Sequence, residues 1–299
     1  MTRRHIIWQI AALAGSKARC ESVLNVAYAG SMASVMEGEI KQAALAQLGL
    51  ALQGRAQGAS GLAQLIIGNA IHPDVFISVT PSPMETVLKA GMAAGAVPIA
   101  HTEMVIAYCP SSRFAPRFEA ANQPNAPSWW QILQEPGLRL GRTDPVTDPQ
   151  GRNIIFVMQL AARLYKQPDL VQRILGADLN PEQIFTEPTV QARLQSGQLD
   201  AASAYKIQPA PFHLPYLTLP AEINLGCGSP AAYADASLTL NGKTYRPEPL
   251  VYYAAALKQA SDAQGAARFV EWLRGKPAQE IFSRSHYDPP GDAKVLGAT

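Results

Sequence analysis

The stretch from Gly141 to Asn153, GRTDPVTDPQGRN, crowds two Asp-Pro pairs and two arginines ahead of an apolar run, IIFVMQLAARLY. The run has helical spacing, and the start of a helix attracts negative charge because its first backbone N–H groups lack partners within the helix. An acidic side chain there can cap those N–H groups, or it can face a bound group. Ser31 and Ser60 pose a similar choice. Each closes a strand-like segment (VLNVAYAGS and LALQGRAQGAS) and opens a helical one, so each can offer a hydroxyl and neighbouring N–H groups to an anion. Either serine alone reads as an ordinary N-cap. Two of them after successive strands point to an oxyanion site.

Other chemistry finds less support. Gly242-Lys243-Thr244 has the ending of a phosphate loop, but Ser237 stands where the first glycine belongs, and Asn241-Gly242 reads as a hairpin turn. No Gly-x-Ser-x-Gly occurs, so a serine hydrolase built on Ser31 or Ser60 lacks its nucleophile elbow, and no enzyme is expected. The 5 histidines stand singly, and the 3 cysteines, Cys20, Cys109 and Cys227, show no metal-ligand spacing. A net charge of +2 without a Lys/Arg block gives no footprint for nucleic acid.

The elements that must position these residues follow from periodicity. The first hundred residues alternate strand and helix as βαβαβα, which predicts a parallel sheet with helices on its faces. MASVMEGEIKQAALAQLG is expected as one helix, and TPSPMETVLKAG as a capped one. Residues 110–150 are rich in Pro, Asn and Ser, with SWWQILQEPG as a short helix. A second α/β unit follows, in which PEQIFTEPTVQARLQSGQ reads as a helical pair and LDAASAYKIQ as a strand with its exit. SLTLNGKTYRPEPLVYYAA is expected to form a hairpin, and AQGAARFVEWLRGKPAQEIFSRSHY one or two amphipathic helices. With 47% hydrophobic and 16% charged residues over 299 positions, the chain suits two α/β lobes, and ligands of open parallel sheets sit at the carboxyl edge of the strands. The expected division is a leader over 1–23, a first lobe over 24–103, a second over 104–220, and a return to the first over 221–299. The leader expectation rests on MTRRH, the short apolar core IIWQIAALAG and the small residue Ala18, which together place the protein in the periplasm or outside the cytoplasm.

The set AYAGSM (27–32), GAS (58–60), HPDVFISV, GRTDPVTDPQG, SGQLDAASAYK and LPAEINLG resembles, in order and spacing over nearly all of 24–290, the substrate-binding proteins of molybdate/tungstate ABC transporters. The resemblance implies a type II periplasmic-binding-protein fold, two lobes joined by crossing strands, and an oxyanion held between them. It implies no cofactor: molybdate or tungstate is the ligand, an ABC permease the partner, and the receptor a monomer. By the same resemblance, Asp148 and Glu222 are the carboxylates beside the anion, with Ser31, Ser60 and Tyr205 completing the site. A carboxylate beside a dianion is repelled if both stay charged and dry. The conflict disappears if Asp148 and Glu222 bond the molybdenum or tungsten itself and expand its coordination, which sulfur does not permit. The chain departs from the family at Gln150-Gly151-Arg152-Asn153, where members have Cys-Gly-Tyr-Arg. Two rivals stay open, a receptor for another oxyanion such as sulfate or phosphate, and a cytoplasmic ligand-sensing domain of the same fold.

Overall fold

Strand and helix alternate from Ser22 onward in the computed structural model, which describes residues 22–121, 123, 126–226 and 230–297. The expected leader lies outside the described residues except for Ser22 and Val23, which already belong to the first strand. Strands β1 (Ser22–Ala29), β2 (Leu50–Gln57) and β3 (Val75–Val79) are joined by helices, and β1 pairs in parallel with both β2 and β3. β4 (Val97–His101) ends this first passage. A second sheet is built from β5 (Met104–Tyr108), β6 (Leu140–Thr143), β7 (Ile184–Phe185), β8 (Ala201–Tyr205) and β9 (Tyr216–Thr218), in the order β7-β6-β8-β5-β9. A hairpin of β10 (Leu238–Leu240) and β11 (Lys243–Tyr245) follows, and β12 (Val251–Ala256) then returns to the first sheet, giving the order β2-β1-β3-β12-β4.

Hydrophobicity explains the layers. β3 and β5 are buried at every position, the pattern of strands covered on both faces. Phe76, Ile77 and Leu24 in the first sheet, and Val105 and Ile106 in the second, are fully buried. Each such side chain contributes about 2 kcal/mol relative to exposure. The helix Pro149–Leu164 lies buried along most of its length, from Ile154 to Ala162 with Gln159 partly excepted, and so forms the spine of the second lobe.

Two connections cross between the lobes side by side. The first is Thr102-Glu103 between β4 and β5; the second runs through Asn224-Leu225 and comes back at Leu250. Met104 N–H donates to Asn224 O at 2.7 Å, Thr102 N–H to Leu250 O at 2.9 Å, and Leu250 N–H to Leu225 O at 3.1 Å. Lys206 Nζ, just beyond β8, pairs with Asp288 at 2.7 Å, and the backbone of Asp288 is bonded to His101 at the end of β4.

Local expectations fare unevenly. The hairpin turn is as read: Asn241 and Gly242 both take positive φ, 49° and 77°, as a type I′ turn requires. The segment read as one helix after β1 breaks at Gly38, whose φ −92° and ψ −113° are not helical. The pair read over 181–198 is a short strand, β7, followed by a single helix, Glu187–Gln195. Ile184 and Phe185 are β-formers that find a parallel partner in Arg142 and Thr143 of β6, and that pairing outweighs the helical spacing. Among the described residues no helix is long and apolar enough to cross a membrane.

Candidate functional site

The carboxyl ends of β1, β2 and β3 face those of β6 and β8 across a cleft of about 460 Å³. The first lobe contributes Ala29, Gly30, Ser31, Gly58, Ala59 and Val79; the second contributes Thr143, Asp144, Thr147 to Gln150, Ile184 to Thr186, and Tyr205. None of these lining residues is a lysine, arginine or histidine. Among the described residues no three His, Cys, Asp or Glu side chains gather as a cation site.

The first wall is mostly backbone. β1 runs out at Ala29 into the 3-10 turn Gly30–Met32, where the Ser31 hydroxyl shares a 2.9 Å hydrogen bond with the Tyr252 hydroxyl. The Tyr287 hydroxyl donates to Ser31 O at 3.4 Å, and the Tyr252 and Tyr287 rings meet edge to face at 5.4 Å, so two buried aromatics hold the turn from behind. β2 runs out at Gln57, and Gly58 leads into the helix Ala59–Ile67 without a side-chain cap. The start of that helix thus lines the cleft at Gly58 and Ala59, with no side chain capping its first N–H groups. The neighbouring helix Pro81–Lys89 differs. There Glu248 accepts from Ser82 N–H at 3.4 Å and from the Ser82 hydroxyl, so an internal carboxyl already occupies that start. Burial raises the Glu248 carboxyl above its ordinary range, against the Thr80 and Ser82 hydrogen bonds that favour the charged form. Thr80, between the cleft residue Val79 and Pro81, holds φ at 71°, a conformation that β-branched residues seldom adopt outside functional or strained positions.

The second wall is side-chain chemistry. Asp148 is the N-cap of the helix Pro149–Leu164: its Oδ1 accepts from Gln150 N–H at 2.8 Å. It also lines the cleft, so capping and facing a ligand are not exclusive. Asp148 N–H donates to Asp144 O at 2.8 Å, and Asp144 Oδ1 accepts from Val146 N–H at 2.8 Å, which closes the turn on itself. Gly151 lets the helix approach this turn: a Cβ there would stand 2.4 Å from Thr143 O, a contact no side chain tolerates. Arg152 points away, donating to Pro145 O at 2.8 Å with its guanidinium 4.5 Å above the Tyr245 ring. Burial pushes the Asp148 carboxyl up, and Asp144 adds to this. The Gln150 N–H, the Thr143 side chain and Arg152 act in the opposite direction. Tyr205, at the end of β8, is buried, and its hydroxyl accepts from Asn153 Nδ2 at 3.1 Å.

The structure thus brings together Ser31, Asp148 and Tyr205. Ser60 is exposed, one position past Ala59, which takes the place at the cleft. Glu222 is exposed on a turn in which Ile223 N–H and Asn224 N–H both return to Pro220 O, at 3.0 and 3.1 Å. That turn buries Ile223, Asn224 and Leu225 and leaves Glu222 exposed, and Glu222 is not among the residues that line the cleft. Thr143, Asp144, Thr147 and Gln150 were missed. Their signal was in the sequence, since all lie in the GRTDPVTDPQGRN stretch.

A model of the family described as bacterial extracellular solute-binding protein matches residues 24–288. The chain is 30% identical over 211 residues to the molybdate/tungstate-binding protein WtpA of Thermococcus kodakarensis, a match covering 63% of this chain and 58% of that protein. It is 32% identical over 229 residues to a putative ABC transporter molybdenum-binding protein of Haloferax volcanii, covering 76% of this chain and 70% of the relative. Among solved structures, the periplasmic molybdate-binding protein of Azotobacter vinelandii superposes with a TM-score of 0.58 at 18% identity, over 88% of this chain and 98% of that one. The sulfate-binding protein SubI of Mycobacterium tuberculosis superposes with a TM-score of 0.60 at 11% identity, over 91% of this chain and 88% of that one. At such identities the structures speak for the fold, the type II periplasmic-binding-protein architecture, and not for the ligand.

Proposed function

Because the chain belongs to the family of bacterial extracellular solute-binding proteins, we propose that it captures molybdate or tungstate in the interlobe cleft and delivers the anion to an ABC permease. The observation that carries this reading is the pairing of helix starts and hydroxyls with a half-buried carboxyl, Asp148, in a cleft whose lining holds no basic side chain. A site built for sulfate or phosphate gains nothing from an acid at that position, because charge repulsion in a partly dry cleft is strong. A molybdenum or tungsten centre can accept a carboxylate oxygen as a ligand and turn the repulsion into a bond. The names of the Thermococcus and Haloferax relatives support the same class of ligand.

In this reading Ser31, the N–H groups at Ala59 and Tyr205 hold the anion's oxygens, and Asp148 reaches its metal. Ser60 and Glu222 stand outside the contact set. No bond is made or broken in the solute's own oxygens, so the protein is a receptor rather than an enzyme. It works as a monomer outside the cytoplasm, in the periplasm where there is one, with the lobes closing on the ligand and the closed form recognised by the permease. The expected lobe boundaries, 24–103 with 221–299 and 104–220, are the bodies that move.

Thermal unfolding with four oxyanions tests the proposal. A ligand that binds only the folded protein stabilises it by RT ln(1 + [L]/Kd), about 4 kcal/mol at a thousandfold excess over Kd. Molybdate or tungstate is expected to raise the melting temperature at low concentration while sulfate and phosphate leave it nearly unchanged. Equal shifts with all four anions contradict it.

A further inference from the structure

At and behind the acidic wall lies a group of buried polar side chains. Gln150, Asn153, Ser203 and Gln208 are each at most 8% exposed. Burying polar groups costs stability unless they are bonded, and here the Gln150 and Gln208 amides bond each other while the Asn153 amide bonds the cleft residue Tyr205. Gln150 Nε2 donates to Gln208 Oε1 at 2.9 Å and to Ser203 O at 3.1 Å. Gln208 Nε2 returns a bond to Gln150 Oε1 at 3.3 Å, and Gln208 Oε1 also accepts from Tyr205 N–H at 2.7 Å. Asn153 Nδ2 donates to the Tyr205 hydroxyl at 3.1 Å. The first turn of the Pro149–Leu164 helix therefore grips Tyr205 at both ends, its backbone through the Gln150–Gln208 pair and its hydroxyl through Asn153.

Two features point past simple packing. The network joins two cleft-lining residues on different elements, Gln150 at the helix start and Tyr205 at the end of β8. And a phenol oxygen that accepts from an amide N–H has its own O–H turned away from that amide, which sets the direction in which the hydroxyl can serve a ligand.

We propose that Asn153, with Gln150 and Gln208, positions the Tyr205 hydroxyl for the bound oxyanion, so that selectivity at this wall is set by an amide network that backs the cleft. Asn153 is a positioning residue and does not touch the ligand. The inference rests on the reading of the cleft as the oxyanion site.

A double-mutant cycle tests it, with calorimetric titration of tungstate and of molybdate into the parent, Tyr205→Phe, Asn153→Leu and the double variant. Asn153→Asp, of the same size but without the N–H donor, is measured alongside in case the leucine disturbs folding, and melting temperatures of the ligand-free proteins are recorded. Each single variant is expected to weaken binding by about tenfold, the worth of one hydrogen bond to a charged group. The double variant is expected to bind no worse than the weaker single, because without the hydroxyl Asn153 has nothing left to position. Losses that multiply to about a hundredfold in the double variant contradict the positioning role. So does parental affinity in either Asn153 variant. A parent that binds neither anion overturns the function proposed above and this inference with it.

Discussion

The two walls of the cleft are built on different principles. The first-lobe wall is small residues and helix starts: Ala29, Gly30, Gly58 and Ala59 offer almost nothing but backbone, and Ser31 is the single hydroxyl among them apart from the strained Thr80 behind Val79. The second-lobe wall is an acidic, proline-stiffened turn with Asp144, Asp148 and Tyr205 facing in and a buried amide network behind. A backbone wall holds any tetrahedral oxyanion of suitable size. A side-chain wall discriminates. In the proposed reading, affinity and selectivity fall to opposite lobes, and closure of the lobes joins them.

The sharpest way to break the second wall is through its packing. Gly151→Val places a branched side chain against Thr143 O, Asp144 C and Pro145 N, all backbone atoms that cannot give way. It is expected to lower stability by about 3 kcal/mol, as overpacking of a tight site does, and to abolish ligand binding; chemical denaturation and titration would measure both. Next in size is Asp148→Asn. Asparagine still caps the helix, so the melting temperature of the empty protein should move little while tungstate affinity falls by about tenfold or more.

The proton linkage of Asp148 sharpens the same point. Its folded carboxyl lies above the ordinary range because of burial, so the folded protein holds that proton more tightly than the unfolded chain does. The empty parent should therefore lose stability relative to Asp148→Asn as pH rises from the ordinary carboxylate range through the raised value, and level off above it. Tungstate binding runs the other way. It needs the charged carboxylate, so affinity should weaken as pH falls through the raised value, and Asp148→Asn should not show that limb.

The first wall predicts smaller effects. Ser31→Ala removes one hydroxyl from a wall of N–H donors and should cost about 1 kcal/mol for tungstate and sulfate alike, since nothing there distinguishes them. Ser60→Ala and Glu222→Gln, both exposed and outside the cleft lining, should leave affinity and melting temperature within about 0.5 kcal/mol of the parent. A large loss at Glu222 would mean that the turn after Pro220 reaches the ligand in the closed state.

Much of the backbone wall was legible in the sequence, because strand, small-residue turn and helix have distinct periodicities and Ser31 stands at one such junction. The hairpin at Asn241-Gly242 was legible for a similar reason, as its turn chemistry is local. Ser60 and Ala59 show the limit of that kind of reading: a helix start can be placed to within a residue, yet the next residue turns about a hundred degrees around the axis, from cleft to solvent. Glu222 lies outside the cleft lining for another reason. Whether a turn presents its acid inward depends on which neighbours are buried, and Ile223 and Leu225 take the inside. The return of β12 between β3 and β4, and the network from Gln150 through Gln208 to Tyr205, join residues far apart in the chain, and no local pattern announces them.

In the proposed function, Asp148 makes this cleft select an oxyanion whose central atom can take another ligand. Calorimetric titration of tungstate and sulfate into the parent and into Asp148→Asn tests it most directly. The parent is expected to bind tungstate far more tightly than sulfate, and Asp148→Asn to narrow the gap from both sides by weakening tungstate and leaving sulfate equal or tighter. A parent that binds the two anions equally, or an Asp148→Asn protein that keeps the full preference, contradicts it.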